Sequence, residues 1–342
     1  MKSKRFTIGV ALVLVAGVAL VMTSAGTARS TQSDFKMAIV TDIGSIQDRS
    51  FNQLANQGRL AVQGELRVPT RVYQTTSEAQ RIPNMLAACR AGYTMIFPVG
   101  FLNFNAENAV APKCSKAQWA GVDISYALLK AKPKNAAGII FAEHEAGFLV
   151  GYLAGLEVKS QGGAQIISAV GANPVPAIVR YISGYIQGAK RANPKVKVLV
   201  GYANDLTFSD QAKCKETALG QIQQGTRAIF QVAGLCGLGA LQAAKEAPNV
   251  WGIGVDADQL YLGSFMLTSA LKRVNVAVVD LTKLAYAGNL ATQRDYVYSL
   301  KNNGVGLGSV NKKVPKKFVA QTVAIGKLVA SGKIKVKTNV KS

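Results

Sequence analysis

Lys36-Met37-Ala38-Ile39-Val40-Thr41-Asp42, followed after a short polar stretch by Ser50-Phe51-Asn52-Gln53-Leu54-Ala55-Asn56-Gln57-Gly58-Arg59-Leu60-Ala61-Val62-Gln63, decides the fold. The first run is almost continuously apolar, as expected of a strand covered on both faces. It ends on an aspartate, and the second run reads as a helix. The alternation then repeats. Strand-like runs lie at 70–74, 94–99, 118–123, 137–141, 164–170, 196–202, 227–232 and 250–255. Helical stretches fall between them at 77–91, 145–159, 177–191, 211–224 and 238–246. Short strands alternating with helices of this length predict an α/β protein with parallel sheets built from βαβ units.

The N-terminus reads differently. Lys2, Lys4 and Arg5 precede an uncharged apolar run of fifteen residues, Ile8 to Met22, and then Thr23-Ser24-Ala25-Gly26-Thr27-Ala28. This is the order of a secretory signal, and the run is shorter than the roughly 20 residues of a membrane span. Residues 1–28 are therefore expected to be a signal peptide, cleaved or retained as an anchor, and the protein is expected outside the cytoplasm. No cysteine lies near the cleavage region, so lipid attachment there is not expected. The rest of the 342-residue chain exceeds one typical core and predicts two lobes.

The formal charge is +22, which invites a nucleic-acid reading. The lysines concentrate near the C-terminus, where Phe318 is the one interleaved aromatic residue, and an export signal argues against nucleic acid. They read either as a solvated basic face or as a surface drawn to anionic lipid or cell-wall polymer. Four cysteines, Cys89, Cys114, Cys214 and Cys236, form no CxxC pair. Export and an even count favour disulfides, with three connectivities open. Cys89–Cys114 and Cys214–Cys236 are preferred because each closes a loop within one lobe and leaves a hinge free.

Ligands of open parallel sheets bind beyond the C-terminal strand ends. Asp42, Asp123 and Asp256 occupy three such ends, the last two in Gly-Val-Asp sequences. A carboxylate there accepts two hydroxyl hydrogen bonds, which suits a ribose or another polyol, although such residues also cap helices. His144, the sole histidine, sits between two glutamates and reads as a surface or hinge residue. Gly147, Gly151 and Gly155 form a GxxxG series, read here as close helix–sheet packing. No GxSxG, P-loop, HExxH or EF-hand spacing is present, so neither catalysis nor a cofactor or metal is expected.

Five segments in order, at 41–53, 141–151, 229–239, 253–259 and 267–274, resemble the basic membrane protein family, nucleoside-binding proteins of bacterial ATP-binding-cassette (ABC) transporters. Asp42-Ile43-Gly44-Ser45-Ile46-Gln47-Asp48-Arg49-Ser50-Phe51-Asn52 and Gly254-Val255-Asp256-Ala257-Asp258-Gln259 carry most of the likeness. Cys236 departs from it, standing where Thr is common. The resemblance implies the type I periplasmic-binding fold, two Rossmann-like lobes joined by crossover strands. Lobe one would comprise 35–140 plus 257–290, and lobe two 141–256 plus 291–342. It implies a monomer that hands a nucleoside, a purine by preference, to an ABC transporter permease. Phe51 and Phe208 would stack on the base, one from each lobe, although an anonymous Phe51 would more often be core. Asn52 would read the base edge, Asp256 and Lys272 would hold the ribose hydroxyls, and Gly234 would let backbone approach. Asp42 and Asp123 would complete the polar ring, and Glu143 reads as structural. A pentose or other polyol is the competing ligand, and a nucleoside hydrolase or phosphorylase the competing class.

Overall fold

The computed structural model describes residues 34–340, so the expected signal at 1–28 lies outside the described residues. The stretch quoted above becomes β1 (Met37–Ile43) and α1 (Phe51–Leu66). Around β1 assemble β2 (Thr70–Thr75), β3 (Met95–Pro98), β4 (Gln118–Val122) and β5 (Ala136–Phe141), with α2 (Arg81–Arg90) and α3 (Phe104–Val110) between them. A late strand, β11 (Asp295–Tyr298), completes a parallel sheet of order β2-β1-β3-β4-β5-β11. The second sheet repeats the pattern with β6 (Ile166–Gly171), β7 (Lys197–Tyr202), β8 (Ala228–Val232), β9 (Trp251–Asp256) and β10 (Met266–Lys272). Its order is β7-β6-β8-β9-β10-β12, with β12 (Val305–Leu307) antiparallel at the edge. In each sheet the first strand in sequence has neighbours on both sides, so the order reverses there and opens a crevice at the strand ends.

Helices cover the second sheet on both faces. One face carries α4 (Glu143–Gln161) and α5 (Pro176–Ala192), the other α6 (Gln211–Gln223) and α7 (Gly237–Glu246). The glycine series of α4 packs against a helix and not against the sheet, contrary to the expectation. A Cβ on Gly147 or Gly151 would collide with the carbonyl oxygens of Tyr181 or Tyr185 on α5. Gly184 and Gly188 of α5 reciprocate against the His144 and Phe148 carbonyls. Small residues on both helices let the two backbones touch, and α4 is apolar on nearly all sides because it is buried.

The lobe boundaries also differ from those expected. The chain crosses between lobes at three places, 141–143, 272–274 and 298–305. Residues 266–272 stay in lobe two, because this apolar strand is buried between β9 and β12. Only then does α8 (Val274–Tyr286) return to lobe one to pack on α1, followed by β11. The chain re-enters lobe two with β12 and α9 (Lys316–Ala330), which packs on α4. The half-exposed four-residue β11 carries too little pattern to be assigned from sequence.

Disulfides join Cys89 to Cys114 in lobe one and Cys214 to Cys236 in lobe two. Closing loops of 25 and 22 residues, each restricts the unfolded chain by about 3 kcal/mol. Among the described residues no helix is long and apolar enough to cross a membrane.

Candidate functional site

The facing strand ends of the two sheets enclose a half-open cleft. Asp42, Phe51, Asn52 and Asp123 line it from lobe one, and Phe208, Gly234, Asp256 and Lys272 from lobe two. All eight residues named from the sequence are thus brought to one place, with Tyr181 among the further lining residues.

The two lobes build this wall by the same device. β4 and β9 hold equivalent places in their sheets, and each ends in Gly-Val-Asp. Asp123 and Asp256 both adopt the left-handed conformation, with φ of 62° and 60°. Aspartate tolerates that region better than most residues because its short side chain bonds locally. Asp123 meets the cation of the other lobe: Lys272 Nζ lies 2.6 Å from its Oδ2. Lys272 Nζ also lies 3.0 Å from Glu143 Oε1, and Arg180 Nε lies 2.6 Å from Glu143 Oε2. Glu143 and Lys272 each stand where the chain crosses between lobes, so this four-residue network ties the hinge to the cleft floor.

Burial alone would push the Lys272 ammonium down, but Asp123, Glu143 and Asp256 together raise its pKa above the usual value. Burial pushes Asp123 up to about 6 against the pull of Lys272. Glu143 goes the other way, because Lys272 and Arg180 outweigh its burial and hold it below the usual carboxylate range. Burial likewise raises Asp42 to about 6, opposed by the Ile43 N–H and by Arg81, whose guanidinium lies 3.3 Å from its Oδ1.

At the helix entrance the division of labour is specific. The Asp48 carboxylate accepts from the backbone N–H groups of Ser50, Asn52 and Gln53, and so caps α1. Ser50 Oγ is thereby free to reach across the cleft, donating to Asp256 Oδ2 at 2.7 Å. The Tyr181 hydroxyl donates to Asp256 Oδ1 at 3.2 Å. Gln259 Nε2 donates to the Arg49 carbonyl at 3.1 Å, a further bond between lobes. Tyr181, Arg180 and Arg81 carried no signal in the sequence, since their partners are distant in the chain.

Phe51, half-buried at the first turn of α1, packs under Lys272, whose Nζ is 5.0 Å from the ring centroid. Phe208 lines the opposite wall at a φ of 55°, in a turn held by the Asp205 carboxylate, which accepts from Thr207, Ser209 and Asp210. Gly234, at φ 59°, lies beside it, in a backbone conformation that favours glycine. Two buried acceptors of the lining residues, Asn52 Oδ1 and Asp123 Oδ1, have no protein donor. A buried acceptor without a partner costs about 1–3 kcal/mol. The wall otherwise offers rings, carboxylates and one ammonium, which suits a small molecule bearing hydroxyls and a flat apolar part.

The family model of PnrA-like substrate-binding proteins of ABC transporters matches residues 35–340. The nucleoside-binding protein BmpA of the ABC transporter of Lactococcus lactis is 32% identical over 334 residues, covering 90% of this chain and 92% of that protein. Basic membrane protein D of Borreliella burgdorferi is 28% identical, covering 88% of this chain and 87% of that one. A solute-binding protein of an ABC transporter system from Aeropyrum pernix superposes with a TM-score of 0.80 at 25% identity, over 90% of this chain and 94% of that chain. With its two mainly parallel sheets, its cleft between strand ends and a match spanning nearly all described residues, the chain belongs to the Bmp family, the PnrA-like substrate-binding proteins of ABC transporters.

Proposed function

We propose that this protein captures a nucleoside, a purine nucleoside by preference, in the cleft and delivers it outside the cytoplasmic membrane to an ABC transporter permease. The observation that carries this reading is the meeting of one aromatic ring from each lobe, Phe51 and Phe208, with the Asn52 amide and the Asp42, Asp123 and Asp256 carboxylates in the lining of one cavity. Rings on opposite walls favour a flat heterocycle, with Asn52 toward the base edge. Asp123, Asp256 and Lys272 then face the ribose, the carboxylates accepting from hydroxyls and the ammonium donating. Asp42 completes the polar ring, and Gly234 leaves room for backbone contact. A ligand touching both lobes binds the closed form better, and this difference in affinity drives hinge closure. The name of the Lactococcus relative points the same way.

The test is to denature the purified protein, identify released small molecules by mass spectrometry, and titrate the emptied, refolded protein calorimetrically with inosine, guanosine, uridine, D-ribose and D-arabinose. Nucleoside release and nucleoside binding well above ribose are expected, with inosine recovered intact after incubation. Binding of ribose or arabinose as tight as that of any nucleoside would replace the reading with a pentose carrier. Appearance of free base would replace it with an enzyme.

A further inference from the structure

The last acidic residue of the chain is Asp295, and residues 299–342 contain ten lysines and no carboxylate side chain. Nine of these lysines fall within 301–337, and every one is exposed. None of the nine forms an ion pair among the described residues; the exposed pairs of the surface are Lys215–Glu246 and Lys283–Glu65.

The local structure concentrates them on lobe two. Along α9 the residues Phe318, Thr322, Ile325 and Val329 are buried, at the spacing of one helix face. The opposite face, Lys316, Ala320, Val323 and Lys327 with Lys317 and Leu328 beside it, is exposed throughout. Beyond the helix the chain alternates. Ile334 and Val336 pack onto the cluster of Phe148, Leu149, Ile325 and Val329, which turns Lys333, Lys335 and Lys337 to solvent. The Lys337 backbone exchanges hydrogen bonds with the Gln187 side chain of α5, so this strap is fixed and not a loose tail.

We propose that this face docks the protein on a bilayer rich in anionic headgroups. Charge complementarity supplies the attraction: residues 299–342 carry no carboxylate side chain, so these lysines are not neutralised from within their own segment. The apolar residues select a bilayer over a soluble polyanion. Val323 is 49% exposed and Leu328 41% exposed, and both lie among the lysines on one helix. Such side chains gain by entering an interface while the lysine heads stay at phosphate level, whereas a soluble polymer offers them nothing. None of the basic residues of this face lines the cleft.

Vesicle sedimentation tests the idea with the full chain as isolated. Vesicles of phosphatidylcholine alone are compared with vesicles containing 30 mol% phosphatidylglycerol in about 0.1 M salt, where surface attraction still reaches roughly 10 Å. Binding to the anionic vesicles only, lost in 1 M salt, is expected. Changing Lys316, Lys327, Lys333 and Lys335 to Gln should weaken it by tenfold or more, each lysine near a charged surface being worth about fivefold. Changing Lys113, Lys116, Lys130 and Lys134 of lobe one to Gln alters net charge equally and should cost less than threefold. Equal losses in the two variants would overturn the proposal, leaving a diffuse effect of net charge. Soluble poly(glycerol phosphate) forms the last arm. If it binds as tightly as the vesicles, and Val323→Ser with Leu328→Ser leaves vesicle binding unchanged, the face serves a polyanion and the membrane assignment falls.

Discussion

Replacing Lys272 by Met should reveal how much of this protein's stability hangs on one buried cation. The side chain is 1% exposed, with carboxylates at 2.6 Å and 3.0 Å. Methionine fills similar volume, so packing is largely kept and the charge is what is lost. Glu143 retains Arg180 at 2.6 Å and stays paired. Asp123 does not: its Oδ1 already lacks a donor, and its Oδ2 loses the one it has. Stripping one partner from a buried pair costs about 3–5 kcal/mol, and here that cost falls on Asp123. The sign with pH follows. In the native protein burial raises Asp123 to about 6, above its ordinary 3.8, so its contribution to stability is complete at acid pH and declines as pH rises through 6. Without the lysine that holds it down, the folded pKa climbs further and the decline continues to higher pH. Urea unfolding should therefore show a gap between native protein and Lys272→Met of about 3–5 kcal/mol at pH 8, narrowing at pH 5.5. Adding Asp123→Asn to the variant should recover about 2 kcal/mol or more at pH 8, since it removes the stranded charge. A gap below about 1 kcal/mol at pH 8, or no recovery in the double variant, would refute the reasoning and make Lys272 a group whose value lies in ligand binding alone.

Three further outcomes are expected. Phe51→Ala and Phe208→Ala should each weaken nucleoside binding about tenfold by calorimetry with little change in melting temperature, since each removes one stacking wall; a sharp fall in melting temperature at unchanged affinity would return Phe51 to the core. Glu107 is fully buried against Gly121 with both carboxylate oxygens unpartnered, and burial raises it to about 8. The native protein should then lose stability between about pH 4.5 and 8 as this group is forced to ionise, and Glu107→Gln should flatten that decline by about 2–5 kcal/mol in pH-dependent unfolding. Gly184→Ala would drive a methyl into the His144 carbonyl of α4, so a loss of about 1–3 kcal/mol is expected, with weaker ligand binding because α5 carries Tyr181 and Arg180; unchanged values for both would show that the helices separate freely.

Much of this architecture is written locally. The apolar run at 37–40 and the helix from Phe51 are read from one turn of chain each, because strand and helix periods are properties of neighbouring residues. Parallel topology then follows from the alternation of elements, and topology places the strand ends where ligands bind. Asp42, Asp123 and Asp256 were therefore legible as a set, and the cysteine pairs from their spacing within a lobe. The family resemblance supplied the rest of the lining: Phe51 and Asn52 in the segment at 41–53, Gly234 in that at 229–239, Lys272 in that at 267–274, and Phe208 as the second ring.

What the local pattern could not carry is anything that depends on two distant segments meeting. The family resemblance marked Lys272 as a ribose donor but not its protein partners; only the crossing of the chain at 272–274 buries it between Asp123 and Glu143, 149 and 129 residues away. Ser50 can cap a helix or bridge the lobes, and the choice is made by Asp48 taking the cap while Asp256 arrives from 206 residues on. The 266–272 strand joins lobe two because its two neighbours in the sheet are there, and the glycines of α4 meet a helix because α5 carries matching glycines. Periodicity records which face of an element is buried, never against what, and partner choice is settled only when the whole chain packs.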